Sequence, residues 1–149
     1  MYRSNEKLVF RLEEEKREEL IKQLKTVVTP DDVVASVFSF LTVDEIPLDV
    51  KKIHSAFFEL KREYPDMFRR FVFSRKDYYP HSALLERVLF RLQNSDLINT
   101  INPDFKICII PKKSKTHIKQ NIVPLFEEED RKKLEKMARV FEETVLPTG

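Results

Sequence analysis

Apolar positions recur along this chain first at helical spacing and later, for one short stretch, at strand spacing. Leu8, Leu12, Leu20, Leu24 and Val28, with Ile21 beside them, share one stripe of a run rich in Glu and Lys. That pattern predicts an amphipathic helix over residues 6–25, or else a short strand at Lys7–Leu12 ahead of a helix from Glu13. Thr29-Pro30-Asp31 then punctuates the chain, with Thr29 as N-cap and Pro30 as first helical residue. In the VVASVFSFLT helix that follows, Val33, Val34, Val37, Phe38 and Leu41 give a broad apolar face, so a central core helix is expected. Pro47-Leu48-Asp49 opens another helix, whose buried stripe reads Val50, Ile53, Ala56, Phe57 and Leu60 and which ends at Tyr64-Pro65. The aromatic, basic stretch PDMFRRFVFSRKDYYP reads as a short helical turn and an extended link closed by Pro80.

Ser82 is a good N-cap for the next helix, with Leu84, Leu85, Val88, Leu89 and Leu92 inward and Glu86, Arg87, Arg91, Gln93 and Asn94 outward. After Ser95-Asp96 the period changes from 3.6 to 2. LINTI and FKICII read as two short strands joined by Asn102-Pro103-Asp104, an antiparallel hairpin. Pro111 stops the second strand, KKSKTHIKQN reads as a polar, basic loop, and Phe126–Thr144 reads as a helix with acids in its first turn and bases after it.

Composition narrows the picture. The 149 residues suit one domain with a real core, and 42% hydrophobic with 35% charged residues describes a soluble globular chain. A single Gly leaves no room for Gly-rich phosphate loops. The lone Cys108 has no disulfide partner, the N-terminus carries no apolar signal segment, and no run is long enough to span a bilayer, so a cytoplasmic protein without membrane contact is expected. Charge is uneven. Met67–Lys119 holds eleven Lys and Arg against four Asp and Glu, +7, which leaves −5 for the rest of a chain whose total is +2.

A helical core followed directly by a two-stranded wing is the winged-helix order, a variant of the helix-turn-helix. The expected fold is therefore mainly α with a small two-stranded antiparallel β-wing: a winged helix-turn-helix with extra N- and C-terminal helices. One domain, 1–149, divides into an N-terminal amphipathic helix (1–30), a winged-helix core (31–111), and a basic loop with a C-terminal helix (112–149). Within residues 32–111, VVASVFSFLTVDEIPLDVKKIHSAFFELKREYP, YYPHSALLERVLFRLQNSDLINT and FKICIIP together resemble the Panacea-type antitoxin-associated domains and their winged-helix relatives. Tyr79 stands where that pattern has glycine. The resemblance implies a small regulatory or antitoxin-like protein, not an enzyme.

Two surfaces carry the functional expectation. On duplex DNA, Arg87, Arg91, Gln93 and Asn94 would face base edges from the recognition helix, with Ser82 at its start. Arg75, Lys76, Lys106, Lys112, Lys113 and Lys115 would take phosphates. Glu86 and Phe90 on the same helix argue instead for a solvated face. The second surface is the aromatic link, where Phe68, Phe71, Tyr78 and Tyr79 would form a partner-protein patch if exposed, and core if folded inward. A homodimer is compatible with either. Catalysis has the weakest case: His54, His81 and His117 are isolated, Cys108 lies in a strand without a base nearby, and no nucleophile, phosphate-loop or dinucleotide motif occurs. No cofactor and no metal are expected, and acid pairs such as Asp31-Asp32 sit where helix capping explains them.

Overall fold

The computed structural model describes residues 15–17, 28–75 and 78–147; residues 15–17 are helical, and the rest of the expected N-terminal helix, like Lys76, lies outside the described residues. The architecture is mainly helical with a small two-stranded antiparallel sheet. In chain order the elements are α1 (Pro30–Ser39), β1 (Glu45–Pro47), α2 (Val50–Glu63), α3 (Ala83–Asn94), β2 (Ile107–Ile109), α4 (Lys112–Asn121), a 3₁₀ turn (Val123–Leu125) and α5 (Glu128–Val145).

Helix α1 starts where its sequence says. Thr29 Oγ1 accepts from the Asp32 amide at 3.2 Å, the Asp32 carboxylate accepts from the Thr29 amide at 3.0 Å, and Pro30 occupies the first turn. Seven successive residues, Val33 to Ser39, are buried, so α1 is enclosed on all sides. It packs against α3, α4 and α5, while α2 lies along α5. The centre of the core is aromatic: Phe38 meets Phe57 and Phe141 edge-on with centroids 6.1 and 5.5 Å apart, and Phe57 lies 6.0 Å from Phe68. Helix α2 is capped by Asp49, whose carboxylate accepts from the Lys52 amide. Val50, expected in its buried stripe, is half-exposed instead, because it sits in the first turn, ahead of the point where the helix meets the core.

The sheet departs from expectation. β2 pairs mainly with β1, which the sequence shows only as the polar bend DEIP: Glu45 faces Ile109, Ile46 faces Cys108 and Pro47 faces Ile107. The expected partner LINTI contributes a single antiparallel bridge, Asn99 with Ile109, made by two 2.8 Å backbone hydrogen bonds. Burial of Ile46 against the core explains the choice: its side chain is fully enclosed, as is that of Cys108 opposite.

A second correction concerns KKSKTHIKQN, expected as a loop and found as helix α4. Ile118 is its one strongly apolar residue, yet Ser114 and Ile118, four apart, form a narrow buried stripe that α1 covers. The link between α2 and α3 also folds inward. Phe68 and Phe71 are buried in the core, and antiparallel bonds between Ser74 and His81, 2.8 Å each, close the loop.

Candidate nucleic-acid interface

Helix α3 stands between α1 and solvent. Leu85, Val88 and Leu92 are buried, and Glu86, Arg87, Phe90, Arg91 and Asn94 are exposed. The start of α3 is built on two stacked imidazoles. Ser82 Oγ caps the Leu85 amide at 3.1 Å, while the Ser82 amide donates to His54 Nδ1 at 3.1 Å. The His54 and His81 rings lie parallel at 7°, centroids 4.5 Å apart, with the Tyr79 ring edge-on to both. Burial holds His54 neutral and lowers its pKa to about 4; the neighbouring His81 adds to the lowering and Glu86 opposes it. His81 Nε2 lies 3.2 Å from Glu86 Oε2, so the one acid on the outer face of α3 is turned back onto the histidine.

Three residues expected at a DNA surface have other work. Ser82 is buried as the helix cap. Arg91 holds Asp31 of α1 in a two-pronged bond, Nε to Oδ2 at 2.8 Å and Nη2 to Oδ1 at 2.7 Å, and that bond raises the Arg91 pKa. Lys115 is largely buried; its Nζ donates to the Leu41 carbonyl (3.0 Å), the Val43 carbonyl (2.7 Å) and Asp44 Oδ1 (2.8 Å). It is the pin of the turn after α1, and its hydrogen bond holds the Asp44 carboxyl below the usual carboxylate range. A sequence that shows three lysines in four residues does not distinguish the captured one from its neighbours.

The remaining expected cations are exposed: Arg75 at the edge of the link, Arg87 on α3, Lys106 on the hairpin, and Lys112 and Lys113 at the start of α4; Asn94 is exposed too. Of the aromatic quartet, Phe68 and Phe71 are core residues and so form no surface patch; Tyr79 is half-buried against the histidines, and Tyr78 is fully exposed, at φ 68.

Chemistry elsewhere is sparse. Burial pushes the Cys108 thiol up to about 12, so it carries no thiolate near neutral pH. Among the described residues no group of three or more His, Cys, Asp and Glu is placed to hold a metal ion. A pocket of about 260 Å³ opens between the start of α1 and the 65–71 turns, beside Val33, Met67 and Arg70. It is smaller than the usual small-ligand site. No described helix is long and apolar enough to cross a membrane. No family model, curated protein or solved structure matches the chain.

Proposed function

We propose that the chain is a winged-helix regulator that binds duplex DNA and does not turn over a substrate. The element order supports that reading: β1, between the first two core helices, pairs with the strand that follows α3 and the 99–106 turn. In such an arrangement α3 enters the major groove, where Arg87 and Asn94 are the side chains placed to read bases, and the hairpin lies beside it.

The observation that carries the DNA reading is the start of α4. Its N-cap is Pro111, which offers no side-chain hydrogen bond, and its first turn holds no acid but two exposed lysines, Lys112 and Lys113. Cations there oppose the helix dipole; the Asp44 carboxylate draws on Lys112 from the turn after α1, and a phosphate would offset what remains. α1 and α5, by contrast, place acids in their first turns, and α2, whose first turn carries Lys51 and Lys52, is capped by the Asp49 carboxylate, which α4 lacks. The test is fluorescence anisotropy on a random-sequence duplex across a salt series. Affinity should fall steeply with salt, and Lys112→Ala/Lys113→Ala should flatten the log–log slope by about 2. Salt-independent binding, or a slope unmoved by the double change, refutes the reading.

A second reading, a protein-interaction module of antitoxin or adaptor type without DNA binding, is favoured by the exposed rings of Tyr78 and Phe90. It requires a stoichiometric partner to co-purify with the chain from its native host and to be lost on Tyr78→Ala or Phe90→Ala.

A further inference from the structure

Arg91 stands in the middle of the outward stripe of α3. Arg87 precedes it by four residues and Asn94 follows it by three, spacings that set the three exposed side chains on one face. Of the three, Arg91 is the one that another described element holds. Asp31, in the first turn of α1, accepts Nε–H on Oδ2 at 2.8 Å and Nη2–H on Oδ1 at 2.7 Å. The clamp is thus mounted on a helix that is buried from Val33 to Ser39 and packed by α3, α4 and α5.

That bond takes one edge of the guanidinium only. The flat group carries five N–H donors, and two pairs of them run parallel: Nε–H with one Nη2–H along the side, Nη1–H with the other Nη2–H across the end. Asp31 occupies the side pair. Among the described residues none accepts from Nη1, and the Arg91 side chain is 50% exposed, which leaves the end pair to solvent. Two charge-assisted bonds fix the plane of the group before any partner arrives, so little torsional freedom is left to lose on docking. The Asp31 charge does not stand bare beside that end pair: both oxygens face Arg91, and the carboxylate sits at the positive end of α1.

We propose that Arg91 reads a guanine in the major groove through this end pair, with Asp31 as its positioning residue. The proposal rests on the DNA reading above and adds a base to it. Guanine alone presents two acceptors, O6 and N7, side by side on its major-groove edge; adenine sets an amino group beside N7, and cytosine and thymine offer no such pair. The end pair of Arg91 donates to both acceptors at once. A phosphate accepts the same two donors, but that contact is blind to sequence, so base preference separates the two.

Selection of duplexes from a random pool by the full chain, then anisotropy on the enriched duplex and its variants, tests this. The enriched sites should share a guanine whose exchange for any other base weakens binding at least about tenfold. With the parent protein, 7-deazaguanine at that position, which lacks only the N7 acceptor, should weaken it about fivefold. Arg91→Ala should abolish the preference. Asp31→Asn keeps Arg91 and its charge, so affinity for random-sequence duplex should not fall, while the guanine preference drops at least about threefold. In the Arg91→Ala background, Asp31→Asn should change the preference no further. The pair lies at the surface, and urea melts check that each variant is folded. Equal loss on every sequence in Arg91→Ala marks a phosphate contact and overturns the proposal, as would a preference that survives either single change or an indifference to 7-deazaguanine. A chain that binds duplex DNA yet enriches no site overturns this proposal and leaves the DNA reading standing; one that binds no duplex removes both.

Discussion

His54 shows how a single buried residue sets a pH dependence. It is neutral in the fold because burial penalises its charge, with a pKa near 4 against 6.5 for an unconstrained histidine. The unfolded chain therefore takes up a proton that the folded chain refuses, so stability is full above about pH 6.5 and declines as the pH falls toward 4. By about pH 5 this linkage amounts to roughly 2 kcal/mol, still above the range where most carboxylates titrate. His54→Gln keeps an acceptor for the Ser82 amide and should remove most of that slope, read from urea midpoints at pH 7 and pH 5. An unchanged slope would show that His54 does not carry the pH dependence. Glu142 is a second buried polar residue on which the fold depends, here through its hydrogen bonds. Its carboxylate accepts from the Thr42 amide at 3.0 Å, from the Thr42 hydroxyl and from Arg139, which also reaches the Phe40 carbonyl. Glu142→Ala leaves those donors unmatched near the end of α1 and is expected to cost about 2–4 kcal/mol, measured as a lower urea midpoint at unchanged m.

At the scale of elements, the long helices were legible because each carries a wide apolar stripe, and two of them a cap that could be named: Thr29 and Ser82 sit at the N-caps expected of them, while Asp49, expected to open its helix, caps it. What was hidden is short or narrow. β1 has three residues, too few to show a period, and its one inward side chain, Ile46, looks like any apolar residue in a bend. α4 has a stripe two residues wide. The candidate interface was half legible: Arg87, Asn94, Lys106, Lys112 and Lys113 are exposed as expected, whereas Arg91 and Lys115 are taken by Asp31 and by the turn after α1, partners 60 and more than 70 residues away. That division gives a sharp contrast. Lys115→Met keeps the stem but strands the Leu41 and Val43 carbonyls, and should cost about 1–3 kcal/mol while leaving DNA affinity unchanged. Arg87→Ala should do the reverse, lowering DNA affinity about tenfold with stability within about 0.5 kcal/mol of the parent. Anisotropy titrations and urea melts on the same two variants separate the roles, and a loss of DNA affinity in Lys115→Met would return that lysine to the interface.

At the scale of the molecule, twelve Phe for one small domain raised the choice between an exposed aromatic patch and a large core, and Phe68 and Phe71 fall on the side of the core. The aromatic cluster draws on four separate parts of the chain: Phe38 from α1, Phe57 from α2, Phe68 from the link and Phe141 from α5. α5 alone adds Leu134, Met137, Ala138, Phe141 and Val145 to the same buried set, and Arg139 and Glu142 of α5 bind the end of α1. The segment 31–111, which the hydrophobic pattern sets apart as a winged-helix core, accordingly lacks one wall of its own interior. Expressed alone, it should expose Phe38 and Phe57 to water and give poorly dispersed amide spectra with no cooperative urea transition, whereas the full chain melts in one step. Phe141→Ala in the full chain probes the same wall by a smaller change and should cost about 3–5 kcal/mol. A fragment that folds cooperatively would show that α5 is an accessory helix, and would predict a Phe141→Ala cost well below that range. The two measurements must therefore agree, which makes the dependence of segment 31–111 on the C-terminal helix a property that can be measured apart from any functional reading.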